Sequence, residues 1–138
     1  QQRSTLILEG DKDSLVLYTA TNAAGEYVGT AIETYTDKGF SGRFKILIGF
    51  LPDGSINKTA VLEHKETPGL GDKMERKKAS WAENFDGKHP EKNNLTVTKD
   101  GGEIDAITAS TITSRAFCDA TARAYAGFLK QNGGSSNE

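Results

Sequence analysis

The sequence has a single cysteine, Cys118, which excludes an intramolecular disulfide and a thiolate-rich metal centre. Its place in an apolar helical stripe leads us to expect a buried structural thiol. An excess of one charge is also missing: 17 Lys and Arg face 19 Asp and Glu, a formal net charge of −2. Neutralising a phosphate backbone needs a basic face, so the composition argues against a nucleic-acid partner. The short run Arg76-Lys77-Lys78 lies among Glu75 and Glu83 and reads as a solvated face. No apolar run approaches the ~18 residues needed to cross a bilayer. His64 and His89 have no cysteine partner and no His-x-x-x-His spacing, which argues against zinc. Glu63 and Glu66, three apart on a strand, point to opposite faces and make a poor carboxylate pair. His64 is a conceivable base for an acyl nucleophile, but no nucleophile elbow surrounds it, so a free-standing hydrolase is disfavoured.

What is present is one domain's worth of chain, 138 residues, enough for a core without staples. Leu15–Thr19, Glu26–Thr36, Phe44–Phe50 and Ile56–Glu66 read as strands. Gly29 marks a possible bulge, and Pro52-Asp-Gly-Ser55 a turn that makes Phe44–Glu66 a hairpin. The run Ala60-Val61-Leu62 suggests burial on both faces near the middle of the return strand. Asp72–Phe85 carries helix formers and helical spacing of Met74, Lys78, Trp81, Ala82 and Phe85, predicting a short middle helix. Leu95–Thr98 reads as a short strand. From Thr113, Ala116, Phe117, Ala120, Ala124 and Phe128 recur at three- and four-residue intervals, predicting a long helix to about Gln131 with a narrow face of small residues. Strands grouped ahead of helices give an α+β fold, an antiparallel sheet with hairpins packed against a long C-terminal helix and a shorter middle one. We divide the chain into an N-terminal segment 1–14, a domain 15–131 and a flexible polar tail 132–138.

Two loops stand out. Asp105-Ala-Ile-Thr-Ala-Ser-Thr-Ile-Thr-Ser114 holds five hydroxyl residues at the entrance to the long helix. A helix start needs one such residue as its cap. The cluster is therefore either a redundantly capped loop or a cradle for phosphate, which the free amides and positive dipole end of a helix favour. The second loop, His64-Lys-Glu-Thr-Pro-Gly-Leu-Gly-Asp-Lys73, has two glycines flanking Leu70 beside Pro68. It is either an ordinary strand-to-helix connection or a place where backbone approaches a ligand closely. Gly69-Leu-Gly71 is neither a dinucleotide fingerprint nor a Walker loop, and iron–sulfur cysteines are lacking, so no NAD or ferredoxin site is expected on this chain.

Taken together, Gly42–Phe50, Pro52-Asp-Gly-Ser-Ile56, Glu63-His-Lys-Glu-Thr-Pro-Gly-Leu-Gly-Asp-Lys73, Trp81 and Asp105–Ser114 resemble the FMN-binding domain of the G subunit of the Rnf electron-transport complex. The C subunit of the sodium-pumping NADH:quinone reductase shares the pattern, and the resemblance runs from about Leu15 to Leu129. It implies FMN attached through its phosphate to a threonine hydroxyl by a separate FAD-dependent flavin transferase. The family motif Asp-x-x-Ser/Thr-Gly-Ala-Thr falls on Asp105–Thr111, which makes Thr111 the attachment residue. Ala109 stands where Gly is usual and Ser110 where Ala is; a left-handed backbone at Ala109 would disfavour its Cβ.

With Thr111 as the tether, Thr108, Ser110 and Thr113 become neutral donors to the phosphate, with Ala109 and Ile112 beside them. Glu66, Thr67, Gly69, Leu70 and Gly71 form the loop that would lie against the isoalloxazine, and Trp81 is either a ring contact or a core tryptophan. No catalytic residue and no metal is implied. The resemblance further implies an electron carrier among the other membrane subunits of an ion-translocating ferredoxin:NAD oxidoreductase. It would be held at the inner membrane by an N-terminal helix absent from this sequence, with the domain on the periplasmic or external side. Two alternatives stand beside it: a flavinylated domain of another envelope electron-transfer chain or extracellular reductase, and a non-catalytic module whose hydroxyl loop binds a free anion or small ligand.

Overall fold

The computed structural model describes residues 2–8 and 13–131. Five strands, β1 (Gln2–Leu6), β2 (Leu15–Thr21), β3 (Tyr27–Gly39), β4 (Gly42–Phe50) and β5 (Ile56–Glu63), precede one helix, α1 (Thr111–Gln131). The strands form an antiparallel meander in the order β1-β2-β3-β4-β5, and α1 packs mainly across β3. The α+β architecture expected from the order of apolar patterns is the one found.

Each turn has a local cause. Between β2 and β3 the Asn22 side chain accepts the amides of Ala24 and Glu26, the self-bonding that suits Asn to turns. Between β4 and β5 Asp53 accepts the Ser55 amide at 2.9 Å, and Gly54 takes the left-handed φ of 93°. One β3 residue is skipped where Ala20 pairs with Gly29 but Thr21 with Tyr27, so the bulge anticipated at Gly29 lies beside it.

Alternation along β2–β5 sends Leu15, Leu17, Ile32, Phe44, Ile46, Ile48, Phe50 and Ile56 to the face that α1 covers. From α1 come Ala116, Phe117, Ala120, Ala124 and Phe128. Their small residues let helix and sheet approach: the Thr34 hydroxyl donates to the Ala120 carbonyl at 3.0 Å. Cys118 is buried, as expected, and desolvation, with a smaller contribution from Asp100, pushes its thiol up to about 12.

Four sequence expectations change. β1 lies within the segment 1–14 that we set outside the domain, and its five residues pair in register with β2. In β5, Ala60 and Leu62 are exposed rather than buried on two faces, because β5 is an edge strand with only Ile56 and Thr59 inside. The middle helix is instead two 3-10 turns, Gly71–Met74 and Trp81–Phe85, with Glu75 extended after the first. Nucleating a helix is costly, and here Met74, Ala82 and Phe85 are buried separately while His64–Glu75, Lys78–Asp72 and Arg76–Asp86 contacts hold the chain between them. Leu95–Thr98 contributes a single parallel bridge, Val97 to Ile104, and leads into a third 3-10 turn, Thr98–Asp100. The flexible tail expected at 132–138 lies outside the described residues.

Candidate functional site

The two loops singled out in the sequence meet at one cavity. It measures about 280 Å³ and is lined by Phe40, Thr67, Leu70, Gly71, Ala109, Ser110, Thr111, Ile112 and Thr113. Its hydroxyl wall is the N-terminus of α1 with the turn before it. Ala109 has φ of 60°, the one non-glycine among the described residues with positive φ. A Cβ in that conformation costs roughly 1–2 kcal/mol, so the turn is held by what surrounds it.

Ser114 does much of the holding. Fully buried, its hydroxyl accepts the Ile107 amide and donates to the Ser110 carbonyl, both at 2.8 Å. From behind, the Trp81 indole N–H donates to the Asp105 carbonyl at 2.6 Å. Trp81 packs edge-on against Phe85 and Phe117, with centroids 5.4 and 5.0 Å away, and takes no part in lining the cavity. Partly buried, it packs against the edge of the core and props the loop.

The redundant-cap reading of the hydroxyl cluster fails here. Among the described residues, no side chain accepts a hydrogen bond from the amides of Thr111, Ile112 or Thr113, which the geometry of a helix start leaves without intrahelical partners. Ser110, at the cap position, is 8% exposed, and its hydroxyl has no partner among the described residues. The first turn of α1 has no acidic residue. Three open amides, a buried unpaired hydroxyl and the dipole of a 21-residue helix therefore face the same side as the free Thr111 hydroxyl. The Thr113 hydroxyl, by contrast, is engaged inward, donating to Glu66 at 2.5 Å.

The opposite wall is the Thr67–Gly71 loop. Gly69 has φ of 81°, and its amide donates to Asp72 at 2.8 Å. Burial opposes ionisation of Asp72, but the Lys78 ammonium and the Gly69 amide outweigh it and hold this carboxyl below its usual range. Leu70 is 40% exposed and Ile112 49%, so two aliphatic side chains flank the opening. Behind the loop, His64 accepts the Glu66 amide on Nδ1 at 2.9 Å and meets Glu75 through Nε2 at 2.8 Å. That hydrogen bond, chiefly, holds the Glu75 carboxyl below its usual range.

Of the residues expected at the site, Thr67, Leu70, Gly71, Ala109, Ser110, Thr111, Ile112 and Thr113 line the cavity. Thr108 and Gly69 are exposed beside it, and Glu66 is buried behind it. Sequence reasoning missed Phe40, 67% exposed on the β3–β4 turn at the cavity mouth. The signal was there: an aromatic in Gly39-Phe-Ser-Gly42, where a large apolar side chain is out of place in a tight turn. Ser114 was grouped with the hydroxyl motif without its role as a staple being foreseen.

A meander closed on one face by a single helix carries an uncapped helix start opposite an apolar-rimmed glycine loop, an arrangement suited to a small ligand with an anionic group. The model of the FMN-binding domain matches residues 39–126, from the Phe40 turn through most of α1. The chain belongs to the FMN-binding domain family. It is 41% identical over 118 residues to the G subunit of the ion-translocating oxidoreductase complex of Aliivibrio fischeri, covering 83% of this chain and 56% of the relative. The G subunit of the same complex in Shewanella oneidensis is 40% identical, with 83% and 55% covered. The chain thus spans about half the length of these curated relatives. In fold it is similar to the crystal structure of Shewanella oneidensis NqrC, at a TM-score of 0.62 and 20% identity, covering 94% of this chain and 69% of that one.

The cavity fits the family's cofactor. Ser110 and the open amides suit a phosphate, and Phe40, Leu70 and Ile112 are apolar surfaces suited to a flat ring. At about 280 Å³ it is smaller than most sites that enclose a ligand, so it would cover only part of such a cofactor.

Proposed function

We propose that this domain carries FMN esterified through its phosphate to the Thr111 hydroxyl, and that it serves as the electron-carrying G subunit of an Rnf-type ion-translocating oxidoreductase complex. The observation that carries the reading is the uncapped start of α1. There the Thr111 hydroxyl lies along the cavity beside three amides and the buried Ser110 hydroxyl, none of which has a partner among the described residues. Attachment from FAD forms the bond between Thr111 Oγ1 and phosphorus, releases AMP and removes the hydroxyl proton. No His, Asp or Glu lines the cavity to take that proton, so a separate transferase must supply the base. Bound FMN supplies reversible one- and two-electron chemistry.

The chain's own contribution is to hold and expose. The amides of residues 111–113 and the hydroxyls of Ser110 and Thr108 donate hydrogen bonds to the phosphate oxygens, while Leu70, Ile112 and Phe40 offer apolar contact to the ring and leave an edge for electron entry. A covalent tether keeps the cofactor on a domain facing away from the cytoplasmic flavin pool. This accords with a membrane complex whose other subunits are its partners, with the domain on the external side of the inner membrane. The names of the relatives, each a subunit of an ion-translocating oxidoreductase complex, support the assembly; none of the described helices is long and apolar enough to cross a membrane.

Intact-mass measurement on wild type and Thr111→Ala, each produced with and without a flavin transferase, tests the linkage. Wild type with transferase should gain one FMN less one water, and Thr111→Ala none. Label on Thr108, Ser110 or Thr113 instead would overturn the residue assignment, and an unlabelled wild type under conditions that label the G subunit of a relative would overturn covalent attachment.

A further inference from the structure

We propose that Glu66 is the positioning residue of this site, a buried carboxylate that sets the Phe40 turn and the entrance of α1 in their places before any cofactor arrives; this rests on reading the cavity as the flavin site. Glu66 is 4% exposed. One oxygen, Oε1, accepts the Phe40 amide at 3.0 Å and the Thr113 hydroxyl at 2.5 Å; the other, Oε2, accepts the Ser41 amide at 2.8 Å. Its own amide donates to His64 Nδ1 at 2.9 Å. One side chain therefore joins three segments that are far apart in sequence: the β3–β4 turn, the glycine loop and the first turn of α1.

Nothing else described does this. No cation pairs with the Glu66 carboxylate among the described residues, so two backbone amides and a hydroxyl supply the solvation that water would. The space is reserved for it: a Cβ on Gly71 would lie 2.8 Å from both Glu66 Cβ and Thr113 Oγ1. The Gly71 that sequence reasoning assigned to close ligand approach is thus small because the Glu66 arm and Thr113 pass against it. The Phe40 ring itself is 67% exposed and has little packing to hold it, so its direction is inherited from the two amides Glu66 captures. Glu66 itself does not line the cavity. It acts on the site through Phe40 and Thr113.

Because all three donors aim at carboxylate oxygens, Glu66→Gln must turn an NH2 group toward at least one of them. Amide hydrogen exchange on flavin-free protein reads the anchor directly. The amides of Phe40 and Ser41 should be protected in wild type and exchange about tenfold faster or more in Glu66→Gln, with Ile46 and Ile48 in β4 unchanged. Thr113→Val, which removes only the hydroxyl donor, gives a second route if Glu66→Gln fails to fold. It should loosen the first turn of α1 and leave β4 intact. On flavin-loaded protein the visible circular dichroism of the flavin should fall by about half or more in either variant, since the ring loses a fixed asymmetric wall.

Equal exchange at Phe40 and Ser41 in wild type and Glu66→Gln would overturn the anchor, and so would loosened amides with an unchanged flavin dichroism. Failure of wild type to take up FMN would instead count against the proposed function, and the flavin-free exchange result would still decide the role of Glu66.

Discussion

Ala109 is the residue at which this chain accepts strain. Its φ of 60° would suit glycine, and the Ser114 staple and the Ile107–Ser110 turn hold it there. Ala109→Gly should therefore stabilise the domain, by about 1 kcal/mol after allowing for the greater freedom of glycine in the unfolded chain. A higher urea midpoint at unchanged slope is the expected reading. An unchanged or lower midpoint would mean that the methyl makes compensating contacts. This position was legible from sequence, since an alanine in a motif slot that favours glycine points to a left-handed turn. Phe40 was not legible in the same way: whether a turn aromatic faces a cavity depends on which loops the fold brings opposite it.

Among the elements, the segment from Asp72 to Phe85 shows where periodicity misleads. Its apolar spacing suits a helix, yet the chain spends those residues on two 3-10 turns that bury Met74 and Phe85 at separate points of the core. A single helix would present one stripe to one surface; here the surfaces are the end of the sheet and the flank of α1. Trp81 joins them, packed on Phe85 and Phe117 and bonded to the Asp105 carbonyl. Trp81→Phe should cost about 1–2 kcal/mol, from the lost donor and the smaller ring, read as a lower urea midpoint. Flavin attachment should persist, because Trp81 is outside the cavity. Loss of attachment with no loss of stability would return Trp81 to the role of ring contact.

Over the whole molecule, several carboxylates tie one loop or turn to another and are held below their usual range. Glu75 is so held chiefly by His64. Asp72 is lowered by Lys78 and the Gly69 amide against the desolvation that opposes them, and Glu103 chiefly by the Asn94 amide. For each, the folded state binds the proton less readily than the unfolded chain. Their contribution is thus complete above the ordinary carboxylate value, 4.5 for Glu75, and is lost as pH falls through the depressed folded value. Thermal midpoints should be level above about pH 5 and fall as the pH drops below about pH 4. Glu75→Gln should lower the midpoint at neutral pH and flatten part of that acid slope. A midpoint that rises on acidification would contradict the sign.

The strands, the long helix and the two loops that line the cavity could be read from the chain because each is a local pattern: alternation, a helical stripe, turn residues, a cluster of hydroxyls. The choice of Thr111 over its neighbours rested on the family resemblance at Asp105–Thr111. What no local pattern carries is the partner of each group. Five hydroxyls in sequence look alike. Only the packed structure turns Ser114 inward as a staple, commits Thr113 to Glu66, and leaves Ser110 and Thr111, beside the first amides of α1, without a side-chain partner among the described residues. Glu66 looked like a loop residue facing a ligand, and it is a buried anchor because Phe40, Ser41 and Thr113, remote in sequence, reach its carboxylate. Hydrogen-bond partners in a core are chosen by what folding brings within about 3 Å, and that choice belongs to the tertiary structure.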